Sequence, residues 1–229
     1  MRLLVLATLG FLIGAPQRVQ SQDFGCVAAH KLVIPRNPRE GSDGRFLPGQ
    51  VLLQRSIQIN PQTMVKVLES PSSGRDLDEY NSTIVVERGP IKDRYRVRDL
   101  IKYGELLRIV EYAIACPTPE ESTLLLGFET CCTGQAEGFV VLRIGTSSSE
   151  VWALPMANEG RIVVNRSDPS TVELWSANRS DLSLCEACPK HYVVSDCRQN
   201  KASSTCAPHP RRTTPIDPDK FMEHRIELR

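Results

Sequence analysis

The chemistry-bearing side chains of this 229-residue chain concentrate in one stretch, residues 185–206, CEACPKHYVVSDCRQNKASSTC, which holds four of its eight cysteines. Thiols can bind a metal, exchange electrons through a disulfide, or stay bonded as cross-links. Zinc needs two close ligand pairs. Cys185-x2-Cys188 supplies one, and Cys206-x2-His209 would supply the other, with Cys197 left over. A redox C-x-x-C opens a helix within a βαβ unit; here Pro189 follows the second cysteine and no such unit is legible. Two short-range disulfides fit the wide spacing from Cys188 to Cys197 and on to Cys206, and they fit the even cysteine count.

The other four are Cys26, Cys116, Cys131 and Cys132. Adjacent side chains on a strand point to opposite faces, so Cys131 and Cys132 are expected to serve different partners. One is expected to bond Cys116 and the other Cys26, with the choice between them open. All eight are thus assigned to disulfides, which implies an oxidising compartment. The opening residues agree. In MRLLVLATLGFLIGAPQRVQSQ, Arg2 precedes the uncharged apolar run Leu3–Gly14, and small or polar residues follow. This is the pattern of a signal peptide over 1–21, with cleavage after Ala15 or, preferably, Ser21. The run is too short for a spanning helix, which needs about 20 apolar residues. No later run is as long, and the charged DPDKFMEHRIELR lacks the hydrophobic tail of a lipid anchor. A secreted, extracellular chain without a membrane span is expected. Asn81, Asn165 and Asn178 each open an N-x-[ST] sequon, so N-glycosylation at exposed positions is expected as well.

Within the cysteine-rich stretch, Cys188-Pro189, Tyr192 ahead of Cys197, and Thr205-Cys206-Ala207-Pro208 follow the order C-x2-C-P-x2-Y-x4-C-x8-C. On these residues, 185–210 resembles part of a tumour-necrosis-factor-receptor-type cysteine-rich module. It departs from that pattern in lacking a glycine between Pro189 and Tyr192, and in having His209 where a further cysteine would stand. The resemblance implies a small disulfide-rich module that could act as a contact surface, as in a soluble decoy or inhibitor.

Catalytic motifs are absent from the sequence. It has no H-E-x-x-H, no G-x-S-x-G and no G-x-x-x-x-G-K-[ST]. Carboxylates cluster in DLDE (76–79) and PEES (119–122), and nothing in their setting marks an acid/base pair. A secreted hydrolase with an unrecognised carboxylate pair is the rival reading. No cofactor or metal is expected. The formal net charge of +1 gives no reason to expect nucleic acid. The densest basic stretch is KDRYRVRD (92–99). As a strand it would place Lys92, Arg94, Arg96 and Arg98 on one face, a possible anion-binding row for an extracellular protein or glycan.

The elements that must carry these residues read as short strands. VLLQRSIQI (51–59) is mostly period two, and TMVKVLE, STIVVER, RYRVR, STLLLGFE, GFVVLRIG, EVWALP, GRIVVN and STVELW follow, separated by turn clusters. RDLIKYGELLRIVEYAIAC (98–116) could be helix or strand. Gly104 costs a helix about 1 kcal/mol, and Leu106–Ala115 suits a strand buried on both faces, so strand is preferred. The expected fold is mainly β, an antiparallel β-sandwich-like domain over 22–180. A small disulfide-rich module at 181–209 and an extended, poorly ordered tail at 210–229 are expected to follow. The expected role is a non-catalytic extracellular one: matrix, adhesion or ligand binding.

Overall fold

The computed structural model describes residues 27–32, 53–71, 80–102, 107–116, 120–130, 136–181, 188–200, 203–212, 216 and 223–229. Strand β1 (Val27–Lys31) pairs with a sheet formed later in the chain. A meander sheet comes next: β2 (Leu53–Asn60), β3 (Thr63–Pro71), β4 (Tyr80–Arg88) and β5 (Ile91–Arg96), antiparallel and in that order. Alternation sorts its faces. Ile57, Ile59, Val65, Val67, Ile84 and Val86 are buried on one side; Lys66, Glu87, Lys92 and Arg94 stand on the other. At the first turn Asn60 Oδ1 accepts the Gln62 N–H at 3.0 Å. The turn into β5 uses Gly89 at φ 55, a left-handed backbone that side chains other than glycine adopt at a cost.

Helix α1 (Val97–Ile101) is brief, burying Val97 and Ile101 on one side. It ends at Lys102, φ 56, whose N–H bonds the Arg98 carbonyl. Gly138 makes room for it: a Cβ there would lie 2.6 Å from Ile101 Cδ1. The segment read as helix or strand is therefore divided. The helix stops at Ile101, and β6 (Leu107–Ala115) is a strand.

β6, β7 (Ser122–Thr130) and β8 (Ala136–Ile144) form the central sheet, with β1 on the free side of β6. The far edge of β8 is shared by β9 (Ser149–Ala153) and β10 (Ala157–Asn158). The third sheet is C-terminal: β11 (Arg161–Asn165), β12 (Asp168–Ala177), β13 (Tyr192–Asn200), β14 (Ser203–Arg212) and β15 (Ile226–Leu228), in the order β14-β13-β12-β11-β15. Among the described residues only β15 runs parallel to its neighbour; the other pairings in the three sheets are antiparallel.

Among the described residues two large cores form, because the central sheet is apolar on both faces, and a small third cluster gathers Ala177 and Tyr192. Leu124, Leu126, Phe128, Val140 and Leu142 pack against the meander sheet. Leu125, Phe139, Val141 and Trp152 pack against Ile162, Val164, Val172 and Leu174 of the third sheet. Such strands read as unbroken hydrophobic runs, as STLLLGFE and GFVVLRI do. The sandwich is thus a stack of three layers.

The cysteine-rich stretch is built into this stack. β13 pairs with β12 from Tyr192 to Arg198, so the compositional boundary at 181 falls in the connection between two neighbours of one sheet. The last residues of the segment read as a tail join this sheet. Ile226 is fully buried in the second core and β15 pairs with β11, because an apolar side chain between charged neighbours fills the space beside Ile162.

Candidate functional site

Two groups of charged residues stand out, one exposed and one buried. The exposed group lies on β5. Lys92, Arg94 and Arg96 alternate on its outer face, all solvent-accessible. Arg98 does not continue the row. The strand ends at Arg96, and burial of Val97 and Ile101 turns the chain into α1, where Arg98 sits 3.7 Å from Asp99. Lys66 of β3 joins the face. It meets Glu87 at 2.6 Å, and Glu87 meets Lys92 at 3.0 Å. Hydrogen bonds from Lys66 and Lys92 hold the Glu87 carboxyl below its usual range. Among the described residues, Arg94 and Arg96 have no ion-pair partner.

The buried group is a set of glutamates, each braced to another part of the fold. Glu69, on the inner face of the meander sheet, accepts the Ile109 N–H at 2.9 Å. That N–H sits at a bulge in β6, where the register shifts between Ile109 and Glu111. The extra residue aims Ile109 at one core and Glu111 at the other side. Glu111 accepts the Arg225 N–H at 2.6 Å and lies 3.2 Å from His224 Nδ1. Glu137 accepts the Gly160 N–H at 2.5 Å, and the Arg225 guanidinium reaches both Glu137 (3.4 Å) and Glu129 (3.1 Å). Glu159, in a left-handed backbone at φ 45, pairs with Lys190; both are buried. Burial raises the Glu69 carboxyl, and burial pushes Glu137 up to about 8 despite the neighbouring Arg225. Burial also raises the Tyr192 hydroxyl, with Glu159 and Glu137 adding to it.

A carboxyl near 8 has the tuning of a general acid. Here its oxygens are engaged with Gly160 and Arg225, so its position serves to hold the β10–β11 turn and the residues ahead of β15. A cleft of about 290 Å³ opens between β1 and β15, lined by Ala28, Ala29, Arg161, His224, Ile226 and Glu227 among others. Among the described residues, the lining offers His224 but no Ser, Thr or Cys.

Sequence reasoning missed Lys66, Glu111, Glu137, Glu159, Lys190, His224 and Arg225. One signal was available: Glu111 is the lone charge inside the apolar run IVEYAIA.

Of the cysteines, Cys197 and Cys206 are opposite one another on β13 and β14 and form a disulfide at the inner face of the third sheet. Cys188 is also disulfide-bonded. Cys116 follows β6 and is half-buried. Cys26, Cys131, Cys132 and Cys185 lie outside the described residues. Asn165 is exposed at a turn, its Oδ1 accepting the Ser167 N–H and hydroxyl at 2.9 and 2.7 Å. Asn178 is half-buried just past β12, and Asn81 lies on β4 opposite Ser70. His191 sits 2.9 Å from Asp181, whose carboxyl is held low by the His191 N–H and ring. Among the described residues no helix is long and apolar enough to cross a membrane. Comparison of the chain with protein-family models, with characterised proteins and with solved structures gave no match.

Proposed function

We propose that the protein is a secreted, non-catalytic binding protein of the extracellular space, cross-linked by disulfides and glycosylated at Asn81, Asn165 and Asn178. It acts through surface contacts with an extracellular protein or glycan. One observation carries this reading: Glu69, Glu111, Glu137 and Glu159 are each committed to a backbone N–H or a cation that ties parts of the fold together. Among the described residues, Arg94 and Arg96 carry charges without an ion pair and face solvent on a sheet surface. Buried charges held in this way are structural, and conformational specificity is their best-attested use.

The test is made on protein secreted from cultured eukaryotic cells. The expected product starts at Gln22, loses mass on deglycosylation and gains about 8 Da on reduction if all eight cysteines are bonded. It turns over no glycoside or ester substrate. Substitution Glu137→Gln or Glu159→Gln changes the melting temperature and nothing else. Turnover by the native protein that vanishes in either variant, at an unchanged melting temperature, would make the hydrolase reading correct. Retention inside the cell with the leader uncleaved would refute secretion.

A further inference from the structure

We infer that the outer face of the meander sheet binds a linear sulfated glycan, laid along β5 and gripped by Arg94 and Arg96 with Lys92 and Lys66 beside them. The inference rests on the reading of the chain as an extracellular binding protein and specifies its ligand class.

The geometry of the row comes first. Alternate residues on a strand recur about 6.8 Å apart, so Lys92, Arg94 and Arg96 span roughly 14 Å. Their spacing matches a ligand whose anionic groups repeat along an extended chain, more than one with a single compact charge. Lys66 widens the field. It is opposite Val85, and Val85 is opposite Arg94, which puts Lys66 and Arg94 in one transverse row. Two strand spacings separate them, about 10 Å.

Charge balance comes second. Among the described residues, Lys66, Lys92, Arg94 and Arg96 stand on this face against one carboxylate, Glu87, which is already shared between the two lysines. The two arginines keep their full hydrogen-bonding capacity for a partner. A guanidinium presents a planar fork that meets two oxygens of a sulfate or carboxylate at once. Gln54, Ser56 and Thr83 place neutral polar groups on the same face, suited to hydroxyls. The rest of the molecule argues against a nucleic acid, because the formal net charge of the whole chain is only +1.

Charged edge strands also guard against sheet-to-sheet aggregation. The two roles separate experimentally. Full-length protein is loaded on immobilised heparin at about 0.15 M NaCl and eluted with salt. Native protein is expected to bind, and the double variant Arg94→Glu/Arg96→Glu to bind about ten-fold or more weakly. The control Arg166→Glu/Arg198→Glu makes the same change in net charge at exposed positions elsewhere and is expected to elute with the native protein. All three are checked for equal melting temperature; if the first variant unfolds, Arg94→Gln/Arg96→Gln replaces it. The inference is overturned if native protein passes through the column, or if the control weakens as much as the test variant. It is also overturned if polyglutamate displaces the protein as well as heparin does, which would identify an acidic polypeptide as partner. Each of these results leaves the non-catalytic reading standing, since that is judged by turnover and secretion.

Discussion

On the meander sheet, Lys66, Glu87 and Lys92 meet at 2.6 and 3.0 Å with water around them. At the far side of the central sheet, Glu159 and Lys190 meet with side chains only 5% and 1% exposed. The chemistry of the two contacts is the same, and their energetics are opposed. An exposed pair is screened and stabilises little, so its members stay free to exchange partners. A buried pair has lost its hydration, and removing one member leaves the other stranded in the interior. Hence the outer face is suited to recognition, and the inner glutamates are suited to holding the layers in one arrangement.

The sharpest way to break this comparison is Lys190→Met. It strands Glu159 and is expected to destabilise the fold by about 3–5 kcal/mol, read by urea or thermal unfolding. The double variant Lys190→Met/Glu159→Gln should recover much of the loss. If the single variant is as stable as the native protein, the pair is not a brace.

The next effect is one of pH. Glu137 is held near 8 in the fold against an ordinary value of 4.5, mainly by burial. Above about pH 5 the unfolded carboxyl is ionised while the folded one keeps its proton. The folded state therefore binds the extra proton, and stability falls as pH rises from about 4.5 to about 8, on the order of a few kcal/mol in all. Glu137→Gln should flatten that slope in urea titrations across the same range. A slope that survives the substitution would place its origin elsewhere.

A smaller loss is expected from Glu111→Ala, which leaves the Arg225 N–H without its acceptor. The cost is about 1–3 kcal/mol. Hydrogen exchange localises it: protection at 225–228 should fall more than protection in β7 and β8. Uniform loss would mean that Glu111 supports the whole fold and has no special tie to β15.

Smallest of all should be the effect of Arg94→Glu/Arg96→Glu on stability. Both side chains are exposed, and Arg96, at the N-cap of α1, makes no side-chain cap hydrogen bond, so replacing them should barely alter the melting temperature. A clear drop in calorimetry would show that the exposed row, too, is structural, and the contrast between the two faces would disappear.

Much of the stack was legible in the sequence, and the unread parts share a cause. β2 to β4 declare themselves through alternation, since one face is wet and the other dry. β7 and β8 declare themselves through unbroken apolar runs. β13 and β14 carry cysteines and, in CAPHPRR, two prolines, and composition alone made them look like a separate module. Proline is tolerated there because β14 is the outermost strand of its sheet. β15 is three residues long within a charged segment, too short for any period to show. The braces were illegible for a different reason. A glutamate in a sequence carries no record of depth, and Glu137 acquires its surroundings from Gly160 and Arg225, which are distant along the chain.

The two-faced apolarity of the central sheet leaves a problem of alignment. In most sandwiches a one-residue slip turns the oily side of a strand to water, and this alone fixes how strands pair. β7 and β8 lack that safeguard, because Leu124 and Leu125, or Phe139 and Val140, could trade cores with little change in buried area. What does not survive such a slip is the placement of Glu129 and Glu137. They face each other across the two strands, and both reach Arg225. Displaced by one position, Glu137 would point into the hydrocarbon beneath the meander sheet, with neither the Gly160 N–H nor Arg225 to receive it. The buried Glu137, sharing Arg225 with the partly exposed Glu129, thus tells the two strands where to stop.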